Sequence, residues 1–227
     1  MAHREFPVAT DKITTMSTRK ANELLPAKYI EQLKISGVVR SYPRHSIIIN
    51  EADDTEGLYI ILEGAVEIYV SSDDGKKLIL NMLGPGEYFG EIALDGGPRS
   101  ASAAASTAVK LMVVMKRQLD DFLLENPDFA VHLVHKLRAR VRALTEDAKS
   151  FALLDVYGRV ARFLNSKAQI HNGRPFVEGR HTHQEIAEFV GSSREMVTRI
   201  LKDLREGGYL RIADNGMYIE RELPKHW

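Results

Sequence analysis

Two clusters of residues in this chain have the types and spacing to do chemistry. The first lies in PGEYFGEIALDGGPRSASAAAS, Pro85 to Ser106. Glycines at 84, 86, 90, 96 and 97 let a backbone approach a ligand closely. Gly90-Glu91-Ile92-Ala93-Leu94 is expected to form a short helix whose first N–H groups face an anion. Arg99 adds a permanent charge on a planar fork suited to phosphate oxygens, and Ser100 adds a hydroxyl and an N–H. Glu91 is an acceptor fit for a ribose 2′-hydroxyl. One arginine, one helix start and one acceptor suit a nucleotide with a single negative charge. A triphosphate would need more, and the chain has no GxxxxGK[ST] loop.

The second cluster is HQEIAEFVGSSREMVTRILKDL, His183 to Leu204. Thr182 with Glu185, and Ser192 with Glu195, have capping-box spacing, so two helices are predicted with a tight turn at Gly191. Small Ala187 lies where they must approach, the helix-turn-helix pattern. Val197, Ile200, Leu201 and Leu204 form the inward face of the second helix. Arg194, Glu195, Thr198, Arg199 and Lys202 form the outward one. Arginine donates twice to guanine and glutamate accepts from cytosine, which is major-groove chemistry. Ser192, Ser193 and the helix start suit phosphates, and Thr182 and Gln184 join the same DNA side. The plainer alternative is a solvated face with an i,i+4 Glu195–Arg199 ion pair.

The elements that must hold these clusters follow from periodicity. The first residues, to about Arg19, read as an arm, and Lys20–Leu33 as a helical patch. Short strand-like runs then recur from Val38 to Met115 with turn signals between them, including Asp74-Gly75. They predict a compact antiparallel β-roll, with the glycine-rich segment between the runs Lys77–Leu83 and Ala108–Met115. Arg117–Glu125 reads as helical and Asn126-Pro127 punctuates it. Next, Ala130, Val134, Leu137, Val141, Leu144, Ala148 and Phe151 repeat in steps of four and three. Such a seam predicts a coiled-coil dimer, against the alternative of a helix packed on its own domain. His132, Lys136, Arg138, Arg140, Arg142, Glu146 and Asp147 between them read as a solvated flank. Phe151–Leu164 is expected to continue helical, and Gln169–Gly179 to be a loop or hairpin. Tyr209–Ile212 and Met217–Ile219 flank Asn215-Gly216, which predicts a wing with a type I′ turn.

The fold class expected is α+β: an N-terminal antiparallel β-roll, a long dimerisation helix and a C-terminal winged helix-turn-helix. The boundaries are 1–125, 126–154 and 155–227.

Composition agrees with this. The 227 residues include 44% hydrophobic and 27% charged, the balance of a globular chain. Lys+Arg and Asp+Glu are both 31, so any nucleic-acid surface must be local. With no cysteine, disulfides and thiolate metal sites are excluded. His181/His183 and His132/His135 are read as solvated, not as metal ligands, and no catalytic set stands out, so no metal and no enzyme are expected. No segment reads as a signal peptide or a bilayer span, which points to a cytoplasmic protein without a membrane partner.

FGEIAL with PRSAS resembles the phosphate-binding cassette of cyclic-nucleotide-binding domains. QEIAEFVGSSREMVTRILK resembles the helix-turn-helix of the CRP/FNR (catabolite activator) regulators, and ALLDVYGRV is similar to their hinge. The match runs over nearly the whole chain in the family's order. It implies a homodimeric transcription regulator, an activator that binds a two-fold operator on double-stranded DNA and contacts RNA polymerase. By resemblance Glu91 takes the ribose, while Arg99 and Ser100, with Gly90, Ile92 and Ala93 around them, take the cyclic phosphate. Arg194, Glu195 and Arg199 would read a TGTGA-like half-site, and Lys167–Val177 lies where relatives touch polymerase. Cyclic-AMP-responsive members meet the base with two adjacent hydroxyl residues, one from the partner subunit. Here the pair is Leu144-Thr145, so Thr145 keeps a hydroxyl and Leu144 replaces one. The ligand implied is cyclic AMP first, with cyclic GMP, cyclic di-GMP or no nucleotide as alternatives.

Overall fold

The computed structural model describes residues 24–54, 57–92 and 96–224. The expected N-terminal arm lies outside them. A short helix, α1 (Ala27–Leu33), leads into eight strands in two four-stranded antiparallel sheets. One sheet has the order β1 (Val38–Tyr42), β8 (Val109–Met115), β3 (Gly57–Glu63), β6 (Tyr88–Phe89). The other has β2 (Ile47–Ile49), β7 (Ser102–Ala105), β4 (Val66–Ser71), β5 (Lys77–Leu83).

The β8 sequence VKLMVVM shows how alternation builds two cores at once. Val109, Leu111 and Val113 turn between the sheets, where they meet Ile61, Val66 and Phe89. Met112 and Val114 turn the other way, onto Tyr29, Leu33, Leu119 and Phe129 of the helices. A strand covered on both faces therefore reads as a nearly continuous apolar run.

The glycine-rich stretch adds two strands, Tyr88–Phe89 and Ser102–Ala105. Alanine has weak strand propensity, so Ser102–Ala105 carries little local signal. Pairing with both β2 and β4 makes it a strand and buries it.

After α2 (Lys116–Glu125), Pro127 opens the 27-residue helix α3 (Pro127–Leu153). The expected continuity across Phe151–Leu164 is broken. Leu154 is extended, and the Asp155 carboxylate accepts the Gly158 N–H at 2.7 Å to start α4 (Val156–Lys167). A new N-cap satisfies N–H groups that a continuous helix would have bonded internally.

β9 (Ala168–His171) and β10 (Arg174–Glu178) follow, then α5 (His183–Val190), α6 (Arg194–Glu206), β11 (Leu210–Ala213) and β12 (Gly216–Ile219). The four strands form one sheet, β11-β12-β10-β9, so the wing is wider than the hairpin expected. The type I′ turn also moves. Asn172 and Gly173 have positive φ (52° and 74°) and join β9 to β10, while Asp214-Asn215 join β11 to β12 without positive φ. Gly216 serves packing instead: a Cβ there would lie 2.2 Å from the Val177 carbonyl. The architecture is thus α+β, a β-roll, a long helix and a winged helix-turn-helix. Among the described residues no helix is long and apolar enough to cross a membrane.

Candidate ligand site and nucleic-acid interface

Arg99 is 4% exposed at the floor of a cavity of about 420 Å³ between the β-roll and α3. Its Nη1 donates to the Gly90 carbonyl at 2.9 Å and its Nη2 to the Gly57 carbonyl at 3.0 Å. The backbone is held as well: Arg99 N–H donates to Asp53 O, and Arg99 O accepts from Ala52 N–H. The Tyr59 ring lies 5.6 Å from the guanidinium carbon. Burial pulls the guanidinium below its ordinary pKa, and Tyr59, Asp53 and Glu91 oppose that shift. A buried cation tied in this way is oriented before any anion arrives.

Gly90 is required for this geometry. Its φ is +91°, and a Cβ would sit 2.6 Å from Gly57 O and 2.7 Å from Arg99 Nη1. Gly90, Glu91, Ile92 and Ser100 all line the same cavity as Arg99. Glu91 and Ile92 enter a 3-10 turn, and Ala93, expected to extend it, lies outside the described residues. The remaining wall is apolar, with Ile49, Ile68, Leu80 and Leu83, beside the polar Asn81.

The roof comes from α3 and corrects the solvated-flank reading. Lys136, Arg140, Leu144 and Asp147 all line the cavity. Their spacing of four, four and three puts them on one helix face, a stripe beside the seam. The spacing was legible, but a charged stripe carries no sign of what it faces. Arg140 Nε is buried with no hydrogen-bond partner. Lys136 donates to the Tyr88 carbonyl and sits over its ring. Thr145 is placed differently from Leu144. It lies on the opposite side of α3, with its hydroxyl bonded to Val141 O at 2.9 Å, and is absent from the cavity wall. His132 is not solvated either; it is half-buried and stacked on Phe129.

In the C-terminal half the Thr182–Glu185 capping box forms as expected. The second cap shifts by one residue. Gly191 takes the left-handed conformation and Ser192 N–H closes α5 onto Ala187 O. Ser193 is the cap, its hydroxyl accepting Met196 N–H at 3.2 Å. Val197, Ile200 and Leu204 are buried and Leu201 is partly so. Arg194, Glu195, Thr198, Arg199 and Lys202 are exposed together along α6, with Gln184 exposed on α5. Among the described residues Glu195 and Arg199 make no ion pair. Their charges remain outward, and a cleft bounded by Arg180, His183, Thr198, Lys202 and Arg205 runs from α6 to the wing.

Two ion-paired contacts join the halves. Arg162 of α4 pairs with Asp147, a cavity-wall residue, at 3.2 Å. Lys77 of β5 pairs with Glu67 at 2.5 Å and lies 3.8 Å from Glu188 of α5. Sequence reasoning missed both: Lys77 and Glu188 stand on elements far apart in the chain, and Arg162–Asp147 needs the break between α3 and α4 that replaces the continuous helix expected. Among the described residues no cluster of three histidines or carboxylates that would hold a metal occurs.

Residues 39–126 match the cyclic nucleotide-binding domain family, and residues 180–210 match the bacterial regulatory proteins of the crp family. The chain is 34% identical over 173 residues to the cAMP-activated global transcriptional regulator CRP of Pasteurella multocida, covering 74% of this chain and 83% of that one. It is 32% identical over 183 residues to the CRP-like cAMP-activated global transcriptional regulator of Mycobacterium tuberculosis, covering 78% and 82%. Among solved structures, the c-di-GMP responsive global regulator CLP of Xanthomonas campestris superposes with a TM-score of 0.76 at 26% identity, covering 86% and 100%.

Proposed function

The chain belongs to the CRP/FNR family of ligand-responsive transcription regulators, and on that footing we propose that it is a homodimeric, cyclic-AMP-dependent regulator of sequence-specific DNA binding. The observation that carries the ligand reading is Arg99, buried and oriented by two carbonyls at the floor of a nucleotide-sized cavity. In this reading Arg99 and Ser100 hold the cyclic phosphate, with the Gly90–Ala93 backbone around it, and Glu91 accepts from the ribose. Leu144 covers the base. Cyclic AMP is the first choice because the curated relatives named above are cAMP-activated.

Exposure of the α3 seam supports the homodimer: Val134 is 54% and Val141 62% exposed in the single chain. In the dimer Thr145 would face the partner or its ligand. Arg194, Glu195 and Arg199 would read the bases, with Ser192, Ser193, Thr182, Gln184, Thr198 and Lys202 on or near phosphates. Two such faces related by a dyad match a two-fold operator. Activation through RNA polymerase contact, action in the cytoplasm and the domain limits 1–125, 126–154 and 155–227 belong to the same proposal.

A second reading, cyclic di-GMP, is favoured by Lys136 and Arg140, which place more positive charge on the cavity wall than one phosphate needs. A thermal-shift screen with cyclic AMP, cyclic GMP and cyclic di-GMP separates the two, since a ligand of the folded state raises the midpoint. Cyclic AMP is expected to give the largest shift, and Arg99→Ala to abolish it. An unchanged shift in that variant would defeat the assignment.

A further inference from the structure

His183 stands at the start of α5 with its side chain exposed. Its Nδ1 lies 2.8 Å from Thr198 Oγ1 on α6. Thr198 has a single hydroxyl proton. That proton goes to the Arg194 carbonyl, 2.8 Å away, because a carbonyl only accepts. Thr198 must therefore accept from His183, which puts the imidazole proton on Nδ1. Nε2 then has only a lone pair in the neutral ring. A second proton makes Nε2 a charged donor and leaves the Nδ1–H bond to Thr198 as it was.

The groups around this ring are mostly basic. On its own helix, Glu185 is committed to the Thr182 N–H at 2.8 Å. The segment before α5 brings Arg180, whose Nε donates to Asp214 O, and half-buried His181. α6 brings Arg194, Lys202 and Arg205, and the β11–β12 turn brings Asp214. Burial, then Lys167, pulls the His181 pKa down, so His181 resists protonation. A DNA phosphate is an anion that such a mostly basic cleft suits.

We propose that His183 is a further DNA-contacting residue, held by Thr198, which takes up one proton per half-site and donates from Nε2 to a backbone phosphate. DNA affinity then rises as pH falls. The inference rests on reading α6 as the recognition helix. Because a phosphate contact carries no sequence information, the effect is the same on every duplex.

The test is fluorescence anisotropy with the full chain and cyclic AMP at fixed ionic strength, from about pH 8 to about pH 6. The probes are a two-fold TGTGA-type duplex and a scrambled duplex of equal length. Wild type should bind both tighter at the acid end by about tenfold per half-site, the size of one charge-assisted bond in each. Its salt slope should steepen by about one per half-site. His183→Gln should flatten the profile, and His181→Gln should keep it. Histidine-selective nitrogen NMR of the free protein at the alkaline end should place the His183 proton on Nδ1. A wild-type profile in His183→Gln, or the proton on Nε2, overturns the inference. Failure of the recognition-helix reading looks different: Arg199→Ala would then leave the affinity ratio of the two duplexes unchanged at every pH.

Discussion

Arg99 and Arg199 are the same side chain in opposite surroundings. Arg99 is 4% exposed and tied to two backbone carbonyls. Arg199 is exposed, and among the described residues its guanidinium makes no hydrogen bond or ion pair. The contrast matches the partner each suits. A small anion brings one charge and must displace water, so its host needs a donor already oriented in a low-dielectric site. A duplex brings a dense row of charges and releases counterions, so exposed side chains are sufficient there. Under the proposed function, then, a binding arginine has no single structural signature; its surroundings follow the size and charge of what it binds.

The hardest way to break that comparison is Arg99→Lys. Charge is kept, but the fork that spans Gly90 O and Gly57 O is lost. Calorimetry should show cyclic-AMP affinity down by at least about tenfold, with stability reduced by about 1–3 kcal/mol for the unmet carbonyls. Wild-type affinity would mean that charge alone suffices and orientation does not matter.

On the exposed side, effects should be smaller and of two kinds. Arg199→Ala should lose about 1–3 kcal/mol of discrimination between operator variants, while Lys202→Ala should weaken all duplexes alike and lower the salt slope by about one. Competition anisotropy at fixed salt separates them. Equal behaviour of the two variants would show that α6 holds DNA without reading it.

The smallest expected effect concerns stability. Burial, then Lys136 and His135, lowers the His132 pKa, and burial, then Lys167, lowers that of His181. An unfolded chain takes up these protons near 6.5, before the folded one does. The associated stability is present above that value and is lost as pH falls through it toward the folded pKa values. Both rings are partly accessible, so a drop of a few degrees in Tm on acidification is expected, by calorimetry. His132→Phe should reduce it; an unchanged drop would remove His132 as a cause.

Much of this was legible in the chain itself. The run to Met115 announces a strand, and Thr182–Glu185 with Gly191 announces a cap and a stop, because period and capping are local chemistry. Other features were hidden. Asn172-Gly173 and Asn215-Gly216 are the same dipeptide, yet only the first forms the I′ turn. The second glycine is there for the closeness of Val177. Ser193, not Ser192, caps α6 with its side chain, while the Ser192 N–H closes α5.

The amino-acid sequence alone determined the family, the order β-roll, long helix, winged helix-turn-helix, and Arg99, Glu91 and the α6 arginines as candidates. Those depend on residue type and spacing, which a linear chain carries in full. Only the tertiary structure decided that Arg99 is buried, that Lys136, Arg140 and Asp147 roof its cavity, and that Thr198 sets the tautomer of His183. Each of these depends on which distant group stands opposite, and a charge written in a sequence does not say whether it will face water, a carbonyl or a ligand.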